Sequence, residues 1–170
     1  MFDIVRADLR KKSEWYYGSS NLKRVLRMLL SDGTSVTLLY RLCQFLRKWN
    51  MGFIALFVSK FNEFLNHVMI GRGASFGPGL VVLHTYGIVI NGKVVAGKNL
   101  IIMNGVSLGE EKGKSPILGD NVFIGAGAKV IGGVRVGNNV SIGANAVVVK
   151  DVPDNVTVAG VPAVIVRRKS

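Results

Sequence analysis

The 170-residue chain has only one cysteine, Cys43, so no disulfide can form within it, and no His, Cys, Asp and Glu cluster shows metal-ligand spacing. The apolar run Met51–Val58 is far shorter than the roughly twenty residues of a membrane-spanning helix. The N-terminal residues MFDIVRADLRKK lack the apolar core of a secretory signal. We therefore expect no metal, no transmembrane helix and a cytoplasmic location.

Acidic residues are also scarce, with 10 Asp and Glu against 22 Lys and Arg, a net charge of +12. The excess is spread evenly between residues 1–67 and 68–170. A positive field favours anionic partners such as a phosphorylated cofactor, an acidic glycan, a membrane surface or nucleic acid, although a solvated basic surface explains it equally well. Because no nucleic-acid-binding motif is visible, we predict no nucleic-acid partner.

The most informative pattern is a six-residue period between Ile70 and Val148. Each unit has an aliphatic residue, usually followed by glycine or another small residue, and then four mostly small or polar residues. The repeated positions are Ile70, Phe76, Val82, Ile90, Ala96, Ile102, Leu108, Leu118, Ile124, Val130, Val136, Ile142 and Val148. Such a period predicts a parallel β-helix, in which each rung buries its apolar side chain against neighbouring rungs.

The period is interrupted twice. The step from Val82 to Ile90 is eight residues, and the step from Leu108 to Leu118 is ten. Insertions in a repeat protein leave the coil as loops, often on the binding face. His84 and the loop 109–116 are therefore candidate site elements.

Three segments are predicted: a helical region 1–67, the β-helix 68–155 and a C-terminal capping strand or arm 156–170. Within the first, apolar spacing predicts helices over 3–12, 20–31, from about 34, and 53–66. These helices are rich in aromatic residues with basic neighbours. Their rings either pack on each other, on the end of the β-helix or between subunits, or they contact an anionic membrane surface.

Several sequence blocks together resemble one family. They are HTYGIVIN at 84–91, GVSLG at 105–109, IGAGAKVIG at 124–132, IGANAVVVKDVP at 142–153 and AGVPA at 159–163. In this order they resemble the serine O-acetyltransferase branch of the hexapeptide-repeat acyltransferases. The resemblance implies a mainly β fold, a left-handed parallel β-helix after a small N-terminal α-helical region. It also implies a homotrimer, with each site between two coils, acetyl-CoA as donor and a hydroxyl as acceptor.

The resemblance assigns catalysis to His84. An alcohol attacks a thioester well only when a base removes its proton, and imidazole suits that role near neutral pH. Backbone amides can stabilise the oxyanion that forms, while basic side chains can meet the phosphates of the nucleotide. The predicted cofactor-binding residues are Gly109, Glu110, Ala126, Ala144, Lys129, Lys150 and Arg168.

The chain departs from this family at acidic positions. Met69 and Leu83 stand where the family has acids beside the catalytic histidine, and Ser115 stands where its loop has a second histidine. Residues 9–31 also contain no Asp to hold an amino group. His84 must then be oriented by a backbone carbonyl, Asn91, Asn104 or the neighbouring subunit.

These departures make free serine a poor expected acceptor, because a site discriminates through satisfied buried polar groups. We therefore predict transfer of acetyl to a sugar hydroxyl of an exopolysaccharide, capsule or lipid-linked glycan, the pattern of short polysaccharide-biosynthesis members. Asn91, Asn104 and Ser115 are predicted to bind the substrate. The alternatives are a serine O-acetyltransferase of cysteine biosynthesis and a non-enzymatic trimeric scaffold. Pairing of two trimers and contact with the inner face of the membrane also remain open.

Overall fold

The computed structural model describes residues 1–169. Four helices come first: α1 (Phe2–Tyr17), α2 (Leu22–Arg27), α3 (Thr34–Lys48) and α4 (Gly52–Asn66), with a 3-10 turn at Met28–Leu30 between α2 and α3. Short strands then follow to the end of the described chain. They are β1 (Val68–Ile70), β2 (Ser75–Phe76), β3 (Val81–Leu83), β4 (Ile88–Ile90), β5 (Val95–Ala96), β6 (Ile101–Met103), β7 (Ser107–Gly109), β8 (Ile117–Leu118), β9 (Phe123–Ile124), β10 (Lys129–Ile131), β11 (Arg135–Val136), β12 (Ser141–Ile142), β13 (Val147–Val148), β14 (Val156–Ala159) and β15 (Val164–Arg168).

The strands stack into three parallel sheets, as a β-helix requires. Sheet A contains β1, β4, β7, β10 and β13, sheet B contains β2, β5, β8 and β11, and sheet C begins with β3, β6, β9, β12 and β14. The apolar residues of the six-residue period point inward and pack in one continuous core, in which all of them except the partly exposed Ile70 are buried. The predicted parallel β-helix after a helical region is confirmed.

The two interruptions of the period are where the coils lengthen. Val89 pairs with Ser107, and Lys129 with Val147, so those coils have 18 residues. The coil from Val68 to Ile88 has 20 residues, and the coil from Ser107 to Lys129 has 22. The two and four extra residues lie in the turns 84–87 and 110–116.

The C-terminal segment adds the last two strands of sheet C. Strand β14 still pairs in parallel with β12, whereas β15 folds back antiparallel on β14. Lys169 adds two polar contacts, because its Nζ donates to Asn139 O and to Ser141 Oγ at 2.8 Å each.

The helical region covers the upper part of sheet C. There Val81, Leu83 and Ile101 point outward yet are buried beneath it. A buried ion pair joins α1 and α3, with Arg41 contacting Asp8 at 2.8 Å, and both side chains also hydrogen-bond to the backbone of the β-helix. This packing places the turn between the 3-10 turn and α3 beside the end of β3.

No helix among residues 1–169 is long and apolar enough to cross a membrane. The aromatic residues of α4 do not pack into the protomer: the rings of Phe53, Phe57, Phe61 and Phe64 are exposed along one side of the helix. Phe53 and Phe57 pack edge to face on each other, with ring centroids 4.9 Å apart, whereas packing of these rings between subunits and their contact with a membrane surface stay predictions.

Candidate functional site

The predicted site residues fall at two different corners of the coil. The turns from sheet C to sheet A (the C–A corner) are 84–87, 104–106, 125–128 and 143–146. The turns from sheet A to sheet B (the A–B corner) include 91–94, 110–116 and 149–151. Sheet A separates the two corners within one chain.

His84 begins the first turn of the C–A corner, directly after β3. Its backbone has a φ of 57°, a left-handed conformation that is uncommon for a residue with a side chain. This conformation turns the chain out of the coil and leaves the imidazole 62% exposed. The side chain of a base must be accessible to its acceptor, and His84 meets this condition.

The carboxylate of Asp32 contacts this imidazole. His84 Nδ1 lies 3.3 Å from Asp32 Oδ2, and both side chains are more than half exposed. Of the groups considered for orienting His84, Asn91 lies at the A–B corner and so does not reach the imidazole within one chain. Asp32 directly follows the segment 9–31, which contains no Asp.

Two features hold the backbone around Asp32. The Lys12 ammonium of α1 donates to Asp32 O and, over 2.9 Å, to Thr34 Oγ1. Burial lowers the pKa of Lys12 to about 8, partly opposed by the charge of Asp32. Gly33 has a φ of 76° and packs directly on β3, where an added Cβ would lie 2.2 Å from Val82 O.

Below His84, the turns of the C–A corner form a column. Gly105 N donates to Tyr86 O, Gly127 N to Asn104 O and Asn145 N to Ala126 O, at 2.8–2.9 Å. This stacking places Asn104, Ala126 and Ala144 on the same edge as His84.

The column suits a pantetheine chain. Among residues 1–169, the amide nitrogens of Ala126 and Ala144 donate to no backbone acceptor. Both residues are small and at least partly exposed, so a ligand can approach these donors closely. Backbone amides of this kind match the amide carbonyls of the pantetheine arm of acetyl-CoA.

The A–B corner brings together the other predicted residues. Ser115 Oγ lies 3.1 Å from Asn91 Oδ1, and Lys93 Nζ lies 3.1 Å from Glu110 Oε2. These contacts tie the loop 110–116 to the coil above it. Gly109 ends β7 at the start of this loop.

The predicted basic residues are dispersed. Lys129 lies on sheet A and donates from Nζ to Gly105 O at 2.6 Å, at the C–A corner. Lys150 is exposed in the last A–B turn, and Arg168 is exposed on β15. One protomer therefore does not gather these three cations around a single phosphate site. No group of three or more His, Cys, Asp or Glu side chains in the described part of the chain is placed to hold a metal ion.

Known proteins share both the sequence and this architecture. The family described as bacterial transferase hexapeptide (six repeats) matches residues 115–150. The serine acetyltransferase of Synechococcus elongatus is 36% identical over 172 residues, which covers 99% of this chain and 70% of that protein. The chain belongs to the serine acetyltransferase family.

Solved structures of this family superimpose over nearly the whole chain. Serine acetyltransferase from Brucella abortus in complex with coenzyme A has a TM-score of 0.86 and 30% identity, covering 99% of this chain and 68% of that one. Serine acetyltransferase from Neisseria gonorrhoeae in complex with serine has a TM-score of 0.85 and 34% identity, covering 98% and 69%.

The predicted enzyme class, an O-acetyltransferase with acetyl-CoA as co-substrate, is confirmed at the level of the family. The placement of the chain with polysaccharide-biosynthesis members is not supported, because the relatives are serine acetyltransferases. The comparisons thus favour the serine alternative over a sugar acceptor. No residue-level role is tested by them, so the predicted site residues stay predictions.

Sequence reasoning missed Asp32 and Lys12. Both come from the helical region, far along the chain from His84. Their only sequence signal is Ser31-Asp32-Gly33, a helix break that carries an acid.

Proposed function

We propose that this protein transfers the acetyl group of acetyl-CoA to the hydroxyl of serine, with His84 as general base. The observation that carries the proposal is an accessible imidazole in contact with a carboxylate. It lies on the same edge of the coil as the amides of Ala126 and Ala144, which donate to no backbone acceptor among residues 1–169. The family relationship supports serine as acceptor. Asp32 also supplies an acid near His84, which weakens the argument from Met69 and Leu83 against an amino-acid substrate.

The chemistry follows from this arrangement. With Nδ1 facing Asp32, His84 presents Nε2 to the acceptor. Nε2 takes the proton of the hydroxyl as its oxygen attacks the thioester carbonyl, and the tetrahedral intermediate then expels the coenzyme A thiolate. The proton held on His84 passes to the departing sulfur. Backbone amides beside the thioester would stabilise the oxyanion, and Gly109 or Glu110 are the predicted donors.

The separation of the two corners supports a homotrimer. His84 and the loop 110–116 lie on opposite edges of sheet A, so the site requires the A–B corner of a second protomer beside the C–A corner of the first. Met69 and Val89 on sheet A, with Val95 and Ile117 on sheet B, expose apolar side chains that such contacts would cover. The oligomer is measured by sedimentation, in which a monomer would contradict the shared site.

A glycan acceptor is the second candidate, favoured by one observation. Leu83, where the family has an acid, is 3% exposed and points under the helical region, and Met69 is apolar. The β-helix itself therefore offers no carboxylate at these two positions for the ammonium group of serine.

The exposed aromatic side of α4 leaves membrane contact as a prediction. Phe53, Phe57, Phe61 and Phe64 would suit a lipid surface, and nearby Lys60 would favour anionic headgroups. Cosedimentation with anionic and with neutral vesicles tests this contact; no binding to either would contradict it.

The function is tested by thiol release from acetyl-CoA with serine and, separately, with cell-envelope glycan. His84→Asn is the informative variant, because Asn tolerates the left-handed backbone at this position. We expect release with serine, reduced about 10²–10⁴-fold in the variant. His67→Asn is the matched control, since His67 has a φ of 54°, and it should stay active. Release with glycan alone would overturn the serine proposal, and an active His84→Asn would overturn the role of the base.

A further inference from the structure

We infer that Asp32 is the positioning residue of His84, and that the helical region, not the β-helix, supplies this carboxylate. The inference deepens the proposed function and rests on His84 as the base. It assigns a catalytic task to the turn 31–34, outside every hexapeptide repeat.

The contact is on the nitrogen that a positioning residue must reach. Asp32 Oδ2 lies 3.3 Å from His84 Nδ1. A carboxylate there accepts the Nδ1 hydrogen, which selects one tautomer and leaves the Nε2 lone pair for the acceptor hydroxyl. The half-exposed imidazole would otherwise rotate and change tautomer freely.

The turn that carries Asp32 is fixed from two sides. From α1, the Lys12 ammonium reaches Asp32 O and Thr34 Oγ1, and it is only 3% exposed. Thr34 Oγ1 in turn lies 2.6 Å from Met28 O. Burying an ammonium is costly unless it is hydrogen-bonded, and the two acceptors in this turn offset that cost.

The β-helix fixes the turn from the other side. Gly33 lies against the backbone of Val82, so close that an added Cβ would meet Val82 O at 2.2 Å. Asp32 precedes this contact by one residue, and His84 follows Val82 by two. The close packing therefore sets the distance between the carboxylate and the imidazole.

The described part of the β-helix supplies no other carboxylate that pairs with His84. Met69 has no charge, and Leu83 is covered by the helical region. Among the described residues, Asp32 is the acid in ion-pair distance of His84. The carboxylate beside His84 therefore comes from the turn in the helical region and not from a strand of the β-helix.

The first experiment measures steady-state kinetics with acetyl-CoA and serine for Asp32→Asn, Asp32→Glu, Lys12→Met and the control Asp3→Asn, an exposed acid on α1. We expect Asp32→Asn to lower kcat about 10–100-fold, the factor typical for losing the carboxylate partner of a metal-bound histidine, with little change in KM. Asp32→Glu should recover part of kcat. Lys12→Met should lower kcat by a smaller factor, and Asp3→Asn should match the wild type.

A second readout does not depend on turnover. In ¹⁵N spectra of the two histidines, assigned with His67→Asn, His84 of the wild type should carry its hydrogen on Nδ1, and Asp32→Asn should shift it towards Nε2. If the hydrogen moves to Nε2 in Asp32→Asn but the wild type releases no thiol with serine, Asp32 positions His84 and the proposed transfer to serine is wrong.

Other results overturn the inference. An unchanged kcat with a raised KM for serine would mean that Asp32 binds the ammonium of the acceptor instead. Kinetics of Asp32→Asn equal to those of Asp3→Asn, or a wild-type His84 with its hydrogen on Nε2, would mean that Asp32 does not position the imidazole.

Discussion

The buried ion pair between Asp8 and Arg41 should be the main polar connection between the helical region and the β-helix. The Asp8 carboxylate accepts hydrogen bonds from Arg41 Nε at 2.8 Å and from Arg41 Nη2 at 3.1 Å. Asp8 Oδ1 also accepts from the backbone amides of Gly79 and Leu80 at 2.8 Å each. Burial raises the pKa of Asp8, against the opposing effect of the Arg41 guanidinium and both amides. Asp8→Ala removes four hydrogen bonds and leaves a buried cation.

The expected loss follows from what Arg41 retains. Removing one partner of a buried pair costs about 3–5 kcal/mol. Arg41 keeps three acceptors, Phe76 O, Gly77 O and Gln44 Oε1, at 2.7–3.0 Å, so the lower end, about 3 kcal/mol, applies. For a chain of this size that corresponds to a fall in Tm of about 6–12 °C.

Urea and thermal unfolding measure this loss, with Asp3→Ala as the control on the exposed side of the same helix. The control should cost about 0.5 kcal/mol or less. Activity should fall as well, because Asp8 lies one helical turn before Lys12. A loss below about 1 kcal/mol for Asp8→Ala, or equal losses for both variants, would refute the reasoning.

Three further outcomes are expected. Gly33→Ala should destabilise the protein by about 1–2 kcal/mol more than Gly18→Ala in thermal unfolding. Both glycines have a positive φ, but an added Cβ would meet Val82 O only at Gly33, whereas Gly18 has nothing within 4 Å. Equal losses of stability would contradict the close contact between Gly33 and Val82. Asn121 has a φ of 57° and belongs to a ladder of hydrogen-bonded asparagine side chains. In urea unfolding, Asn121→Gly should be more stable than Asn121→Ala by about 1 kcal/mol, because both variants lose the same hydrogen bonds but only Ala is strained in the left-handed conformation. A more stable Asn121→Ala would contradict this expectation. Burial lowers the pKa of Lys12 from 10.5 to about 8, so between these pH values the unfolded chain binds more protons than the folded chain. The free energy of unfolding of the wild type, relative to that of Lys12→Met, should therefore rise by about 1.5 kcal/mol from pH 8 to 9.5. A difference between the two proteins that does not change with pH would contradict the buried ammonium.

The β-helix and its interruptions could be predicted from the sequence because the rule is local. Each repeat buries its aliphatic residue against the coils directly above and below, so a period of six specifies the rung and a missed step specifies a loop. The steps of eight and ten residues predicted the enlarged turns at His84 and at 110–116 for this reason.

Tertiary structure alone decided what surrounds His84. Asp32 is distant in sequence and belongs to a turn whose position depends on Lys12, Gly33 and the Asp8–Arg41 pair, none of which follows a repeat. The same limit applies to Asn91 and Ser115, which contact each other but face away from His84 across sheet A. The period of the sequence determines the position of a residue on its own coil. The packing of the helices on sheet C determines which charged side chains lie beside that residue.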